Sequence, residues 1–315
     1  MALSSPEKYG AKSAATVTER LTSGKRHFGD SVIEIGLLAA LMTALLILLV
    51  LILSVLENAW PILSTRFGDF LSSGLDASDA ANAGVWQAMR GTLTMAIIVS
   101  LVAFPLGVAC AVYLEEYAGK SLLARLTRVN VRNLAGVPSI VYGILGLAVF
   151  VKFAGGFTGG RTVIAGGLTL SVLVLPIVII TASEALRAVP RSIREGALGV
   201  GATQWETIRS HVLPAAAPGI LTGTVLSLSR AAGEAAPLLL VGGVTGLLTT
   251  GNQGLWEQIT QGGFTSMPVA IFSYARQTGA DFQEVTGAAS LVLLVLVVLI
   301  NAIAILLRNR FEKRW

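Results

Sequence analysis

From Ile35 to Leu56 the chain runs for twenty-two residues without a charged side chain. The hydrocarbon core of a bilayer is about 30 Å thick and takes roughly 20 apolar helical residues to cross. A run of that length and purity places the chain in a membrane. The composition agrees: 54% of the 315 residues are hydrophobic and only 13% are charged, against about 25% charged in a soluble domain. So little charge cannot cover a water-facing surface, and it also excludes a disordered chain, a disulfide scaffold and a coiled coil. The single cysteine, Cys110, lies in another apolar run and reads as a buried, inert thiol.

Six apolar runs are candidate spans: Ile35–Leu56, Gly91–Leu114, Leu134–Val151, Thr162–Ser183, Ala215–Gly242 and Val285–Leu307. None alternates strictly, which favours helices over barrel strands. The expected fold is therefore all-α, a polytopic membrane protein with six transmembrane helices. The first run is too long, and its polar lead too extended, for a cleaved signal peptide, so it reads as an uncleaved anchor.

The basic residues sort by segment. Seventeen of the 23 lie in four stretches: the N-terminal tail, the second-to-third link (Lys120, Arg125, Arg128, Arg132), the fourth-to-fifth link (Arg187, Arg191, Arg194, Arg209) and the C-terminal tail. Five are scattered over the other links, and Arg230 alone lies inside a span. The positive-inside rule then puts both termini and the two basic links in the cytoplasm, which an even number of spans requires. The net charge of +5 is thus an orientation signal and no pointer to nucleic acid. The resulting layout is a cytoplasmic tail over 1–31, a first span over 32–56, an extracytoplasmic loop over 57–87, a core over 88–307 and a cytoplasmic tail over 308–315.

The link from Glu184 to Pro214 carries the most information. Pro190 interrupts a helix leaving span four. Ser192-Ile193-Arg194-Glu195 and Thr203-Gln204-Trp205-Glu206 both match capping boxes, with Gly199 and Gly201 between them as a break. Two short helices with a bend are expected, either as a partner-docking element or as an ordinary interfacial pair with arginines toward headgroups.

At this point the chain resembles the permeases of type I ABC importers, whose "EAA" loop reads Glu-Ala-Ala, a Gly four residues on, and Ile-x-Leu-Pro nine further. Here Glu195-Gly196-Ala197, Gly201 and His211-Val212-Leu213-Pro214 keep that spacing, with Gly196 and His211 as departures. Two further stretches, Leu134-Ala135-Gly136-Val137-Pro138-Ser139 through Gly143 and Ser229-Arg230-Ala231-Ala232-Gly233-Glu234 through Leu238, resemble phosphate-importer permeases. The Ala236-Pro237-Leu238 ending looks more like the PstA type than its PstC partner, and Ser266 to Arg276 with Asp281 to Glu284 is similar to the same type. The resemblance implies a type I ABC importer permease architecture in a bacterial inner membrane. It implies a PstC-like second permease, a PstB-like ATPase dimer holding the ATP and Mg, and a PstS-like phosphate-binding protein as partners. No cofactor is expected in this chain. The resemblance makes Glu195, Gly196, Ala197, Gly201, Ala202, Trp205, Leu213 and Pro214 the residues that couple to the ATPase.

Arg230 and Glu234, four positions apart, would share one face of a continuous fifth span. They read either as a self-neutralised structural pair or as a transient site for inorganic phosphate, with Arg230 contacting the anion and Glu234 weakening its hold. Ser139 and Tyr142 offer hydroxyls to the same path, or simply to local backbone. Ala215, Gly219 and Gly223 form a small-residue stripe for close helix approach, within the chain or against a partner. The 243–284 link, with Trp256, Phe264, Phe272 and Tyr274, suits short helices at a membrane interface. Gly119-Lys120-Ser121 lacks the earlier glycine of a phosphate-binding loop, since Leu114 occupies that place. His27, His211 and Cys110 cannot assemble a zinc set, and no nucleophile–base constellation appears, so no enzymatic chemistry is expected. The rivals are a permease for sulfate or molybdate, a secondary transporter or channel working without ATP, and a membrane scaffold.

Overall fold

The computed structural model describes residues 28–119, 121–243 and 263–311. The N-terminal tail before Phe28, Lys120 of the Gly-Lys-Ser stretch, Trp256 and the last four residues lie outside them. The chain divides into two compact units, Met1–Ser54 and Val55–Trp315. The first consists of the opening part of a helix, α1 (Phe28–Thr65), whose apolar side chains from Val32 to Leu53 are exposed. Everything below concerns the second unit.

Helix α1 continues to Thr65, nine residues beyond the apolar run, because Ala59 and Ile62 bury against Val285 and Ala288. The opening of the expected loop over 57–87 is therefore helical, and α2 (Phe67–Ser72) follows at once. Then come α3 (Trp86–Val112), ending in a π turn at Tyr113–Tyr117, α4 (Leu122–Ala135), and α5 (Ser139–Gly146), which runs on through a second π turn to Phe153. After the short α6 (Gly155–Thr158) the long α7 (Val163–Ala188) returns. Next are α8 (Arg191–Gly199), α9 (Gln204–Thr207) with a third π turn to Val212, and α10 (Leu213–Gly233). Among the described residues α11 (Ala236–Val241), α12 (Met267–Ala275) and α13 (Ala280–Phe311) follow.

Among the described residues five helical stretches are long and apolar enough to cross a membrane, and a bent pair, α4 with α5, makes a sixth if it is one span. The third span is broken near its start, at the proline expected to disturb it: the axes of α4 and α5 differ by 102°. Pro138 is responsible. It has no N–H, and it drives the preceding residue out of the helical region. The fifth span breaks too, ending at Gly233 instead of running to Gly242. Pro237 cannot donate to the Gly233 carbonyl and its ring would clash there, so Glu234 turns extended with φ −83° and ψ 117°.

Helices α3, α7 and α10 form the centre. Gly219 and Gly223 of α10 press on Ala185 and Thr181 of α7, so the small-residue stripe serves packing within the chain. Phe264 and Tyr274 are buried, not interfacial, and the Tyr274 hydroxyl donates to Gly84 O at 2.7 Å. Only Phe272 of that aromatic set is exposed among the described residues. Cys110 is half-buried on the flank of α3, not enclosed.

Candidate functional site

The two interrupted spans meet at their breaks. A Cβ on Gly143 of α5 would lie 2.7 Å from Pro237 Cα, so only glycine lets α5 lie flat against the start of α11. Ala231 and Leu238, on either side of the α10 break, pack with Tyr142, with Met95 and Val99 of α3, and with Leu170 and Val174 of α7. These residues lie near the middle of α3 and in the first half of α7. Behind the break the packing is tight. The space bounded by Thr92, Met95, Leu170, Ala231 and Leu238 is about 10 Å³, room for one water at most.

Arg230 therefore projects the other way, onto an open face. Its side chain is 48% exposed, against 20% for Glu234, and Arg230 Nε lies 3.4 Å from Glu234 Oε1. The pair forms, but across a helix end rather than along one helix face. The shortest contact of the pair runs through Nε, and the guanidinium makes no hydrogen bond to another described residue. Arg230 is within electrostatic reach of Tyr142. The Tyr142 hydroxyl itself donates across the α4–α5 break to Leu134 O at 2.7 Å, the local backbone role. Ser139, half-buried at the first position of α5, has no hydrogen bond to Arg230 or Glu234. Beside the pair, Ser229 Oγ donates to Asn301 Oδ1 at 2.5 Å and ties α10 to α13.

The loop between α7 and α10 is a second constellation. Pro190 caps α8 with an extended backbone, the helix begins at Arg191, and the Ser192–Glu195 box does not form because Ser192 already sits inside the first turn. The Thr203–Glu206 box does form, with both reciprocal bonds present. Between the helices, Gly201 takes φ +92°. Its N–H donates to Leu198 O at 3.0 Å and the Ala202 N–H to Ala197 O at 3.1 Å, the paired closure of a left-handed helix end. Ala197 is buried, whereas Glu195, Gly196, Leu198, Val200 and Trp205 are exposed. Val200 at 86% and Trp205 at 54% are unusually bare for apolar side chains. Ala202 and Leu213 are half-buried and Pro214 is exposed at the start of α10, where the π turn before it absorbs the missing donor.

The residues that sequence reasoning passed over are Glu115 and Glu116. They end α3 in the π turn and receive Arg187 and Arg194 from the loop side. An acidic pair closing an apolar run, in a chain with four arginines on the facing link, was the available signal.

A family model described as "Binding-protein-dependent transport system inner membrane component" matches residues 103–315. The chain belongs to this family. The phosphate transport system permease protein PstA 1 of Mycobacterium tuberculosis is 33% identical over 287 residues, covering 90% of each chain. The probable ABC transporter permease protein YqgI of Bacillus subtilis is 33% identical over 73% of this chain and 72% of its own length. Among solved structures, a permease chain of a bacterial ABC transporter importing the acidic polysaccharide alginate superposes with a TM-score of 0.60 at 16% identity. It covers 92% of this chain and 100% of that one. A chain of the MetNI methionine transporter in an inward-facing conformation gives 0.54 at 19% identity over 73% and 98%. The fold is that of a type I ABC importer permease, and the sequence is PstA-like within it.

Proposed function

We propose that this chain is the PstA-type permease of an ATP-driven importer of inorganic phosphate. The observation that carries the reading is the half-exposed guanidinium of Arg230 at the meeting of two broken spans, whose shortest contact to the Glu234 carboxylate is 3.4 Å. A lone charge at mid-bilayer costs about 2.5–3.5 kcal/mol on insertion scales, so the bare face of Arg230 calls for a polar neighbour. The tight packing behind Ala231 leaves no room for an ion there. The path therefore runs over the Arg230 face, against a PstC-like second permease.

There the planar fork suits phosphate oxygens and lowers the cost of removing water from the anion. Glu234 competes for the same guanidinium and keeps the site from becoming a trap. Ser139 belongs to the rim of that path. The α8–α9 loop, with Glu195, Gly196, Trp205 and the bare Val200 outward, docks on a PstB-like ATPase dimer, which holds ATP and Mg and performs the hydrolysis. A PstS-like binding protein delivers phosphate at the opposite end. Both termini and the docking loop lie on the cytoplasmic side.

The test is the purified complex with its co-expressed partners in liposomes. Phosphate-loaded binding protein should stimulate ATP hydrolysis and drive uptake, and sulfate or molybdate should not compete. Competition by those ions refutes the phosphate assignment, and gradient-driven flux through this chain alone refutes the dependence on ATP.

A further inference from the structure

The coupling loop is joined covalently to α7 and α10 but not to α3, yet polar bonds hold α3 both to the last turn of α7, through Arg187, and to the loop itself, through Arg194 and Gln204. Glu115 accepts two bonds from Arg187, from Nε at 2.7 Å and Nη2 at 2.8 Å. A looser ion pair at 3.5 Å reaches it from Arg128 of α4. Glu116 accepts from Arg194 Nη2 at 2.7 Å, and the same guanidinium donates to Val189 O at 2.8 Å and Leu186 O at 2.9 Å. The carbonyls at the end of α3 are capped from the side: Gln204 Nε2 donates to Glu116 O at 2.6 Å and Arg128 Nη2 to Leu114 O. Both carboxylate side chains are only about a tenth exposed, 10% and 9%. The π turn is what lets two consecutive glutamates serve different partners, since its wider winding brings neighbouring positions closer to one face.

Holding the loop in place does not require this. Ile208, Val212, Leu186 and Val189 already form an apolar cluster with Ala111 and Val112 of α3, and buried ion pairs are often no more stabilising than apolar residues of the same volume. The two kinds of contact differ in direction. Apolar packing resists separation but is non-directional, so helices can slide along it. A guanidinium fork on a carboxylate fixes orientation and register as well.

We propose that Glu116 is a positioning residue that clamps the coupling loop to α3, with Glu115 holding α3 to the last turn of α7 beside it, so that displacement of the loop is delivered to α3 together with α7 and α10. The far half of α3 carries Met95 and Val99, which share an apolar cluster with Ala231, the neighbour of Arg230. Movement of the clamp therefore reaches the anion site along one helix. This inference rests on the coupling reading above.

The test uses the complete transporter in liposomes, with Cys110→Ala as background and Glu116→Cys with Arg194→Cys added. Phosphate moved per ATP hydrolysed should fall about tenfold in the unlinked double variant, within the usual range of coupling between linked sites. A bifunctional thiol reagent with a spacer matching the two lost side chains should return the ratio to within about threefold of the background. A parental ratio in the unlinked variant overturns the proposal, and so does a linked variant that hydrolyses ATP but stays uncoupled. Gln204→Ala removes one bond without stranding a buried charge, and a lower ratio at unchanged assembly is expected. If it keeps the parental ratio while the double variant fails to assemble, the clamp is structural and the proposal falls. A background complex whose ATPase ignores phosphate refutes the cargo assignment alone, and the clamp is then read with whichever anion stimulates it.

Discussion

Replacing Arg230 with alanine separates a structural ion pair from a transport site, because the two readings predict opposite patterns of loss. The closest approach of Arg230 to Glu234 is 3.4 Å, and the arginine side is half open to solvent. Pairs of that kind contribute about 0–1 kcal/mol to stability, so Arg230→Ala should assemble with its partners and melt within a few degrees of the parental complex. An anion dehydrating on the half-exposed fork would make one or two charge-assisted bonds there, each contributing about 1.5–3 kcal/mol. Removing one such bond from the highest barrier slows passage about ten- to a hundredfold, since each 1.36 kcal/mol is about a factor of ten.

Arg230→Lys keeps the charge and loses the fork, so its uptake should fall between the two. Glu234→Gln takes away the competitor. Phosphate should then be held more tightly, giving a lower half-saturating concentration and a lower maximal rate. The assay is uptake of labelled phosphate into liposomes holding the full complex, normalised to assembled transporter. Parental uptake by an assembled Arg230→Ala complex refutes the reasoning. A complex that falls apart or melts far lower refutes it differently, by showing the pair to be structural.

Other consequences follow from the same contacts. Gly143→Val should destabilise the complex by about 1–3 kcal/mol, the usual cost of overpacking, because the new Cβ meets the Pro237 backbone at 2.7 Å. Gly233→Ala, which meets nothing within 4 Å, should leave the melting temperature unchanged or slightly raised. Gly201→Ala should cost about 1–2 kcal/mol through the left-handed backbone at φ +92°, and should loosen the loop in hydrogen exchange while Gly199→Ala does not. Asp76 accepts from Ser78 Oγ at 2.6 Å and from the Ser78 and Asp79 N–H groups, and these bonds hold its carboxyl below the usual range. A depressed folded pKa stabilises above the unfolded value, about 3.9, and loses that contribution as pH falls through the folded one. Protection of the 76–83 loop in hydrogen exchange should therefore drop on acidification, and Asp76→Asn should remove that dependence.

The spans were legible because they are set by runs of one residue class, and the loop because its signals are local. Gly201 and the Thr203–Glu206 box each act within four residues of where they are read. The Ser192 box misled because Pro190, two residues earlier, is the stronger start signal. What escaped were features set by partners far along the chain. Glu115 meets Arg187 across 72 residues and Glu116 meets Arg194 across 78, and the acidic pair alone calls for basic partners without saying which. The helical stretch from Glu57 to Thr65 escaped for the same reason, since burial against α13 outweighs its weak hydropathy.

The two helix breaks were half legible. Pro138 and Pro237 are visible, but a proline inside an apolar run is equally compatible with a kinked, continuous span. The decision lies with the freed backbone groups, which a membrane tolerates only where protein or water satisfies them. At the α4–α5 break the Tyr142 hydroxyl does so, bonding Leu134 O. At the α10 break the opened turn lies beside Arg230, on a face that the chain itself leaves exposed. An unwound backbone and an open guanidinium are each costly against acyl chains. Placed side by side they share one polar surrounding, so this face costs least where it meets another protein surface and water, the surroundings that a dehydrating anion also needs.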